Sequence, residues 1–248
     1  MRNIWTLAKR EYKNYFNSSI AYAIAFFILI FLGGYFTAYV VYFSSSSGFT
    51  MDAPDAWQVT GGLLSTLLVF SLPFLTMRLL ADEVRMGTME LLLTAPLRDY
   101  ELVIGKWLGA FLFVLTLIAV TLVFPFMLDQ LVTPGIDQIL MLSGYLGLIL
   151  MAAAFLAIGV GISAIFDNQF AAAFVTLLAL LFLWWLVGLP SFVMTSGGEI
   201  FRYLSVGSHI QDNFATGTIN MYNIVYLLSL TGLGIAIGST AVEIRRWR

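Results

Sequence analysis

Six stretches of this 248-residue chain contain no Asp, Glu, Lys or Arg: 14–51, 56–77, 107–128, 138–166, 168–198 and 213–242. Each exceeds the roughly 20 apolar residues that carry a helix across a hydrocarbon core of about 30 Å. Six transmembrane helices are therefore expected, near 20–43, 57–80, 102–128, 139–165, 170–194 and 221–242. The runs are continuously apolar rather than alternating, which selects helices over barrel strands. With 60% hydrophobic and 10% charged residues, the composition excludes a water-soluble domain. The first run is too long for the apolar region of a signal peptide, and no small-residue cleavage site follows it, so it is expected to remain as a span.

Charge placement sets the expected topology. An even number of crossings puts both termini on one side. That side collects Arg2, Lys9, Arg10, Lys13, Arg78, Arg85, Arg98, Lys106, Arg245, Arg246 and Arg248, leaving only Arg202 opposite. The positive-inside rule makes the shared side cytoplasmic. A short exterior loop is expected to begin at the serines of 44–47.

Several chemistries are excluded by composition. There is no Cys and one His, which removes disulfide scaffolds, zinc clusters and thiol nucleophiles. A net charge of −2 gives no sign of a nucleic-acid partner. No ionisable residue falls mid-span, so proton relays and voltage sensing have no groups to work with, whereas sodium coupling through backbone carbonyls is less firmly excluded. No nucleotide-binding loop occurs: Gly105-Lys106 lacks the first glycine of that pattern. The glycines between Gly232 and Gly238 lie inside an apolar run and read as a helix-packing face.

Residues 2–16 form an amphipathic pattern at helical spacing. Ile4, Trp5, Leu7, Ala8, Tyr12, Tyr15 and Phe16 share one half, while the basic residues and asparagines share the other. This suits a helix at the headgroup plane of the bilayer. Glu11 falls in the apolar half, where an unpaired carboxylate is costly. It is expected to meet a base from the 78–106 segment, or else to reach back to water.

Between the second and third spans, Gly87 is positioned to break a helix, and Thr88 to cap a new one with Glu90 in its first turn. Pro96 ends that helix within two turns, and Asp99 is placed to cap the third span with Glu101 behind it. The product is a short capped helix held between two spans. It suits either transmission of movement from a soluble partner or a plain interhelical turn.

The stretch Glu83-Val-Arg-Met-Gly-Thr-Met-Glu-Leu-Leu-Leu-Thr-Ala-Pro96, with Gly105-Lys106 beyond it, resembles the signature of type-2 ABC exporter permeases. In that family it ends the second span and forms the coupling helix that docks on an ATP-binding subunit. The amphipathic start, with Trp5, Arg10, Glu11 and Tyr12, resembles the family's elbow helix. A narrower resemblance, to gliding-motility-associated permease subunits, rests on Lys9 to Tyr22, Tyr203 to Gly217, Tyr226 and the ending Glu243-Ile-Arg-Arg-Trp-Arg248. Ser19 departs from the proline common there.

The resemblance implies an all-α polytopic permease domain over 1–248 in a bacterial inner membrane. Its parts are an elbow helix at 1–17, a coupling segment at 81–101 and short exterior helices within 195–220. Glu83, Arg85, Gly87, Thr88, Glu90 and Pro96 would meet the ATPase. Tyr203, Ser208, His209 and Phe214 would form an exterior gate or partner contact, unless 195–220 is simply a folded interfacial loop. No cofactor would be bound directly, since ATP and Mg belong to the partner ATPase. Implied partners are the ABC ATP-binding subunit, a second permease copy or homologue, the lipid bilayer and a companion membrane protein with a large exterior domain. Two alternatives stand beside ATP-driven export: a non-transporting anchor or transmitter for the same ATPase, and an intramembrane enzyme. Against the enzyme, adjacent Ser208 and His209 would point in different directions.

Overall fold

A chain inside hydrocarbon must satisfy its backbone polar groups within itself, which an apolar helix does residue by residue. The computed structural model of this protein describes residues 2–45, 57–87, 89, 98–132, 135–193 and 197–247, and its secondary structure there is entirely helical. Six stretches are long and apolar enough to span a membrane: Ser19–Tyr42, Trp57–Arg85, Asp99–Leu131, Gln138–Ile165, Gln169–Ser191 and Met221–Arg246.

In chain order the α-helices are α1 (Arg2–Phe16), α2 (Ser19–Ser45), α3 (Gly62–Thr76), α4 (Ala81–Arg85), α5 (Asp99–Thr121), α6 (Val123–Leu131), α7 (Gln138–Ile165), α8 (Gln169–Trp184), α9 (Gly198–Leu204), α10 (Val206–Asp212) and α11 (Met221–Arg246). A π-helical turn at Trp57–Gly61 precedes α3, and 3-10 turns occupy Leu186–Phe192 and Phe214–Thr216. The loop expected after Ser45 lies outside the described residues.

The fourth span is the axis of the bundle: 78% of its apolar window is buried, against 22% for the first and sixth. Small residues let its neighbours approach as backbones. A Cβ on Gly234 would come within 2.5 Å of Ala157, and one on Gly161 within 2.7 Å of the Gly234 carbonyl. Gly232 faces open space, so the packing face of the sixth span is set by Gly234 and Gly238.

Three expected spans are not single α-helices. The second breaks at Met77–Leu80, four residues after Pro73. Ser163 of the fourth span closes the gap: its Oγ accepts the N–H groups of Leu80 and Ala81 at 3.2 and 3.1 Å and donates to the Met77 carbonyl at 3.3 Å. The third span divides at Leu122, because Pro125 has no N–H to give the Thr121 carbonyl. The Tyr145 hydroxyl donates to that carbonyl instead, at 3.2 Å. The α-helix of the fifth span ends at Trp184 rather than running to 194, and a 3-10 turn containing Pro190 continues it.

The cap of the third span also differs from expectation. Arg98 is the N-cap, and its backbone N–H donates to Glu101 Oε2 at 3.1 Å. Asp99 is the first helical residue and pairs with Arg246 at 2.8 Å. That pair, with Arg245 on the Ala164 and Ile165 carbonyls at 3.0 and 2.9 Å, joins the C-terminal end of the sixth span to the start of the third and the end of the fourth. The α1 helix packs at this same end, so the N-terminal helix and the C-terminal end share one face of the bundle.

Candidate functional site

The most concentrated charge inside the protein lies where α1, α4 and α5 meet. Lys106 is 2% exposed in the second turn of α5, where an isolated ammonium would be strongly disfavoured. Its Nζ donates to Glu83 Oε1 at 2.7 Å and to Glu11 Oε1 at 3.5 Å. Arg10 Nη2 lies 3.1 Å from the same Glu11 oxygen. The result is a chain of alternating sign, Arg10–Glu11–Lys106–Glu83, with two cations and two carboxylates. The base expected for Glu11 is therefore Lys106.

Glycine spacing on α5 creates this meeting. Gly105 and Gly109 lie one turn apart, and α1 packs directly on them. A Cβ at Gly105 would come 2.7 Å from Leu7, and one at Gly109 would come 2.6 Å from Glu11 Cβ and 2.9 Å from the Ala8 carbonyl. Farther along, Tyr15 stacks on Phe113 at 4.9 Å and Tyr12 shares a hydrogen bond with Thr116 at 3.1 Å. Burial pushes the Tyr15 phenol far above its ordinary pKa, so it stays a donor, here to the Leu75 carbonyl at 2.9 Å. Positions 105 to 116 cover about three helical turns. Much of the apolar stripe of α1 is thus occupied by the third span, while Trp5, 58% exposed, faces away from this packing.

The other residues expected at this end are arranged around the network. Arg85 is exposed and pairs with Asp82 at 3.1 Å. Gly87 follows α4 with φ +70°, a left-handed conformation that favours glycine, and nothing crowds it. Thr88, Glu90 and Pro96 lie outside the described residues. Sequence reasoning left Lys106 out of the docking set. Its signal was a lone cation eight residues into the third span, opposite a misplaced Glu11.

The opposite end is organised around the single histidine. His209 Nδ1 lies 2.5 Å from Asn223 Oδ1, and Nε2 lies 2.7 Å from the Tyr203 carbonyl. Its ring stacks on Tyr226 at 4.3 Å and meets Tyr203 edge-on at 5.2 Å. Ser208 instead donates to the Ser205 carbonyl at 2.8 Å and to that of Arg202, so Ser208 and His209 form no nucleophile–base pair. Phe214 is fully buried against Gly147, where it anchors this connection to the fourth span rather than facing outward. Beside these residues a cavity of about 680 Å³ is lined by Trp184, Trp185, Arg202, Gln211 and Asp212, among others.

No curated protein matches the chain. Residues 5–244 match the family described as ABC-2 family transporter protein, a match that runs from the first turn of α1 to the last turn of the sixth span. This multi-pass membrane protein therefore belongs to the ABC-2 transporter family.

Proposed function

We propose that the chain is the permease subunit of an ATP-driven exporter, with both termini and the Arg10–Glu11–Lys106–Glu83 network on the cytoplasmic side of a bacterial inner membrane. An ATP-binding subunit, carrying ATP and Mg, docks on the segment 81–101 through Glu83, Arg85, Gly87, Thr88, Glu90 and Pro96. A second permease copy or homologue completes the pathway. The supporting observation is the buried Lys106, which ties the end of the second span to α1 and to the third span at once. Displacement of α4 by a docked subunit is then carried into two further helices, because parting Glu83 from Lys106 takes the closest partner from a buried ammonium. At the exterior end, Tyr203, Ser208 and His209 form the wall through which a gate or exterior partner acts. Family membership supports the ATPase partner, and the placement of eleven of the twelve basic residues supports the orientation.

Photo-crosslinking tests the docking. A photoreactive residue at position 85 or 87 is expected to capture an ATP-binding subunit in the native membrane, while one at position 203 captures none. Capture from 203 with none from 85 or 87 would reverse the assignment.

A further inference from the structure

A second feature of the α1 end borders the ion network. A cavity of about 270 Å³ opens between α1, the start of α2 and the broken end of the second span. Its walls divide by chemistry. Ile20 and Ala21 of α2 and Phe74 of α3 supply hydrocarbon, and Phe74 is 46% exposed. Arg78 and Asp82, four residues apart across the break, supply opposite charges.

Neither charge is satisfied as those of the network are. Arg78 is exposed and makes no hydrogen bond or ion pair among the described residues. Asp82 Oδ1 is buried yet accepts no hydrogen bond; Arg85 stands 3.1 Å away as an ion pair without hydrogen-bond geometry. A buried carboxylate oxygen of this kind calls for an N–H donor. A guanidinium beside it calls for a phosphate or carboxylate.

We propose that this cavity holds the headgroup of an ethanolamine phospholipid, with its phosphate on Arg78, its ammonium on Asp82 and its acyl chains along Ile20, Ala21 and Phe74. The lining carries Arg10, Arg78 and Lys106 against Glu11, Asp82 and Glu83, which sum to zero. An anionic headgroup would bring negative charge toward three carboxylates with only Arg78 unspent. A choline headgroup has no N–H for Asp82 Oδ1. A soluble phosphoethanolamine ester shares the polar chemistry but leaves the apolar wall uncovered. The proposal is independent of ATPase coupling, since it needs only the chain and the bilayer.

Native mass spectrometry of the purified full chain, titrated with dioleoyl-phosphatidylethanolamine, -phosphatidylcholine or -phosphatidylglycerol, tests this directly. Ethanolamine lipid is expected to be retained about tenfold more strongly than either other lipid, a preference of the size one charge-assisted hydrogen bond provides. Asp82→Asn should remove most of that preference and Arg78→Ala should weaken retention of all three lipids, while Arg202→Ala, at the far end, leaves both intact. Arg78 is exposed and Asp82→Asn preserves shape, so both variants should elute as the parent does on size exclusion. Equal retention of the three lipids by the parent, a preference unchanged in Asp82→Asn, or retention unchanged in Arg78→Ala overturns the proposal. Glycerophosphoethanolamine displacing the lipid at equal concentration overturns the lipid assignment in favour of a soluble ester.

Discussion

The two ends of the bundle hold their helices together by different physics. At the α1 end, four charges alternate across three elements, with Lys106 fully enclosed. At the far end, the His209 ring is held between the Asn223 side chain and the Tyr203 carbonyl, with Tyr226 stacked on the ring and donating to the Leu204 carbonyl at 2.6 Å. A buried charge network is close to all-or-none, because removing one member leaves another uncompensated in a medium that cannot solvate it. Single hydrogen bonds outside such a network are lost in increments of about 1 kcal/mol. In the proposed exporter this division suits the tasks: the end that receives force must move as one body, and the end that opens must yield.

The largest expected effect breaks the charged end. Lys106→Met should cost about 3–5 kcal/mol of stability, read as a drop in thermal unfolding temperature in detergent, because it takes Glu83 from its closest cation and leaves Glu11 with only the half-exposed Arg10. Neutralising all three, as Glu11→Gln, Lys106→Met and Glu83→Gln together, should recover most of that loss. Next comes Ser163→Ala, which leaves the N–H groups of Leu80 and Ala81 without their acceptor at the break in the second span. About 1–3 kcal/mol is expected, with faster amide exchange at residues 80 and 81.

His209→Phe tests the far end. It keeps a ring against Tyr226 but orphans Asn223 and the Tyr203 carbonyl, for about 1–3 kcal/mol. Tyr226→Phe should cost about 1 kcal/mol. Smallest is Arg202→Ala, which removes an exposed pair with Asp212 at 2.9 Å; less than about 1 kcal/mol is expected, vanishing in high salt. If Lys106→Met were as mild and as salt-sensitive as Arg202→Ala, the distinction between the ends would be lost.

Much of this was legible in the sequence, for identifiable reasons. The six spans follow from charge-free stretches, because a charge is costly inside lipid. Glu11 announced a partner because it violated an otherwise clean amphipathic pattern. The breaks at 77–80, at Leu122 and after Trp184 were not legible, since hydropathy is the same on both sides of a broken helix. Pro73, Pro125 and Pro190 marked them only generally, and what closes the first two is a hydroxyl from another span, Ser163 or Tyr145. Burial of Phe214 was equally hidden, because an aromatic in a glycine-rich connection reads alike whether it faces outward or packs on Gly147. The resemblance carried by Glu83 to Pro96 and the misplaced Glu11 lead to the same end of the molecule, where Glu83 sits against Lys106. Thr88, Glu90 and Pro96 lie outside the described residues.

In the proposed exporter the network transmits force rather than merely stabilising the fold, and the neutral triple variant separates these roles. The measurement is the ATPase rate of the partner subunit reconstituted in vesicles with either the parent permease or the Glu11→Gln, Lys106→Met, Glu83→Gln variant. Both are first matched for folded yield and for bound partner. The triple variant is predicted to be nearly as stable as the parent yet to lose the stimulation that the permease confers. Full stimulation by a stable triple variant would contradict the account and reduce the four charges to a structural clasp.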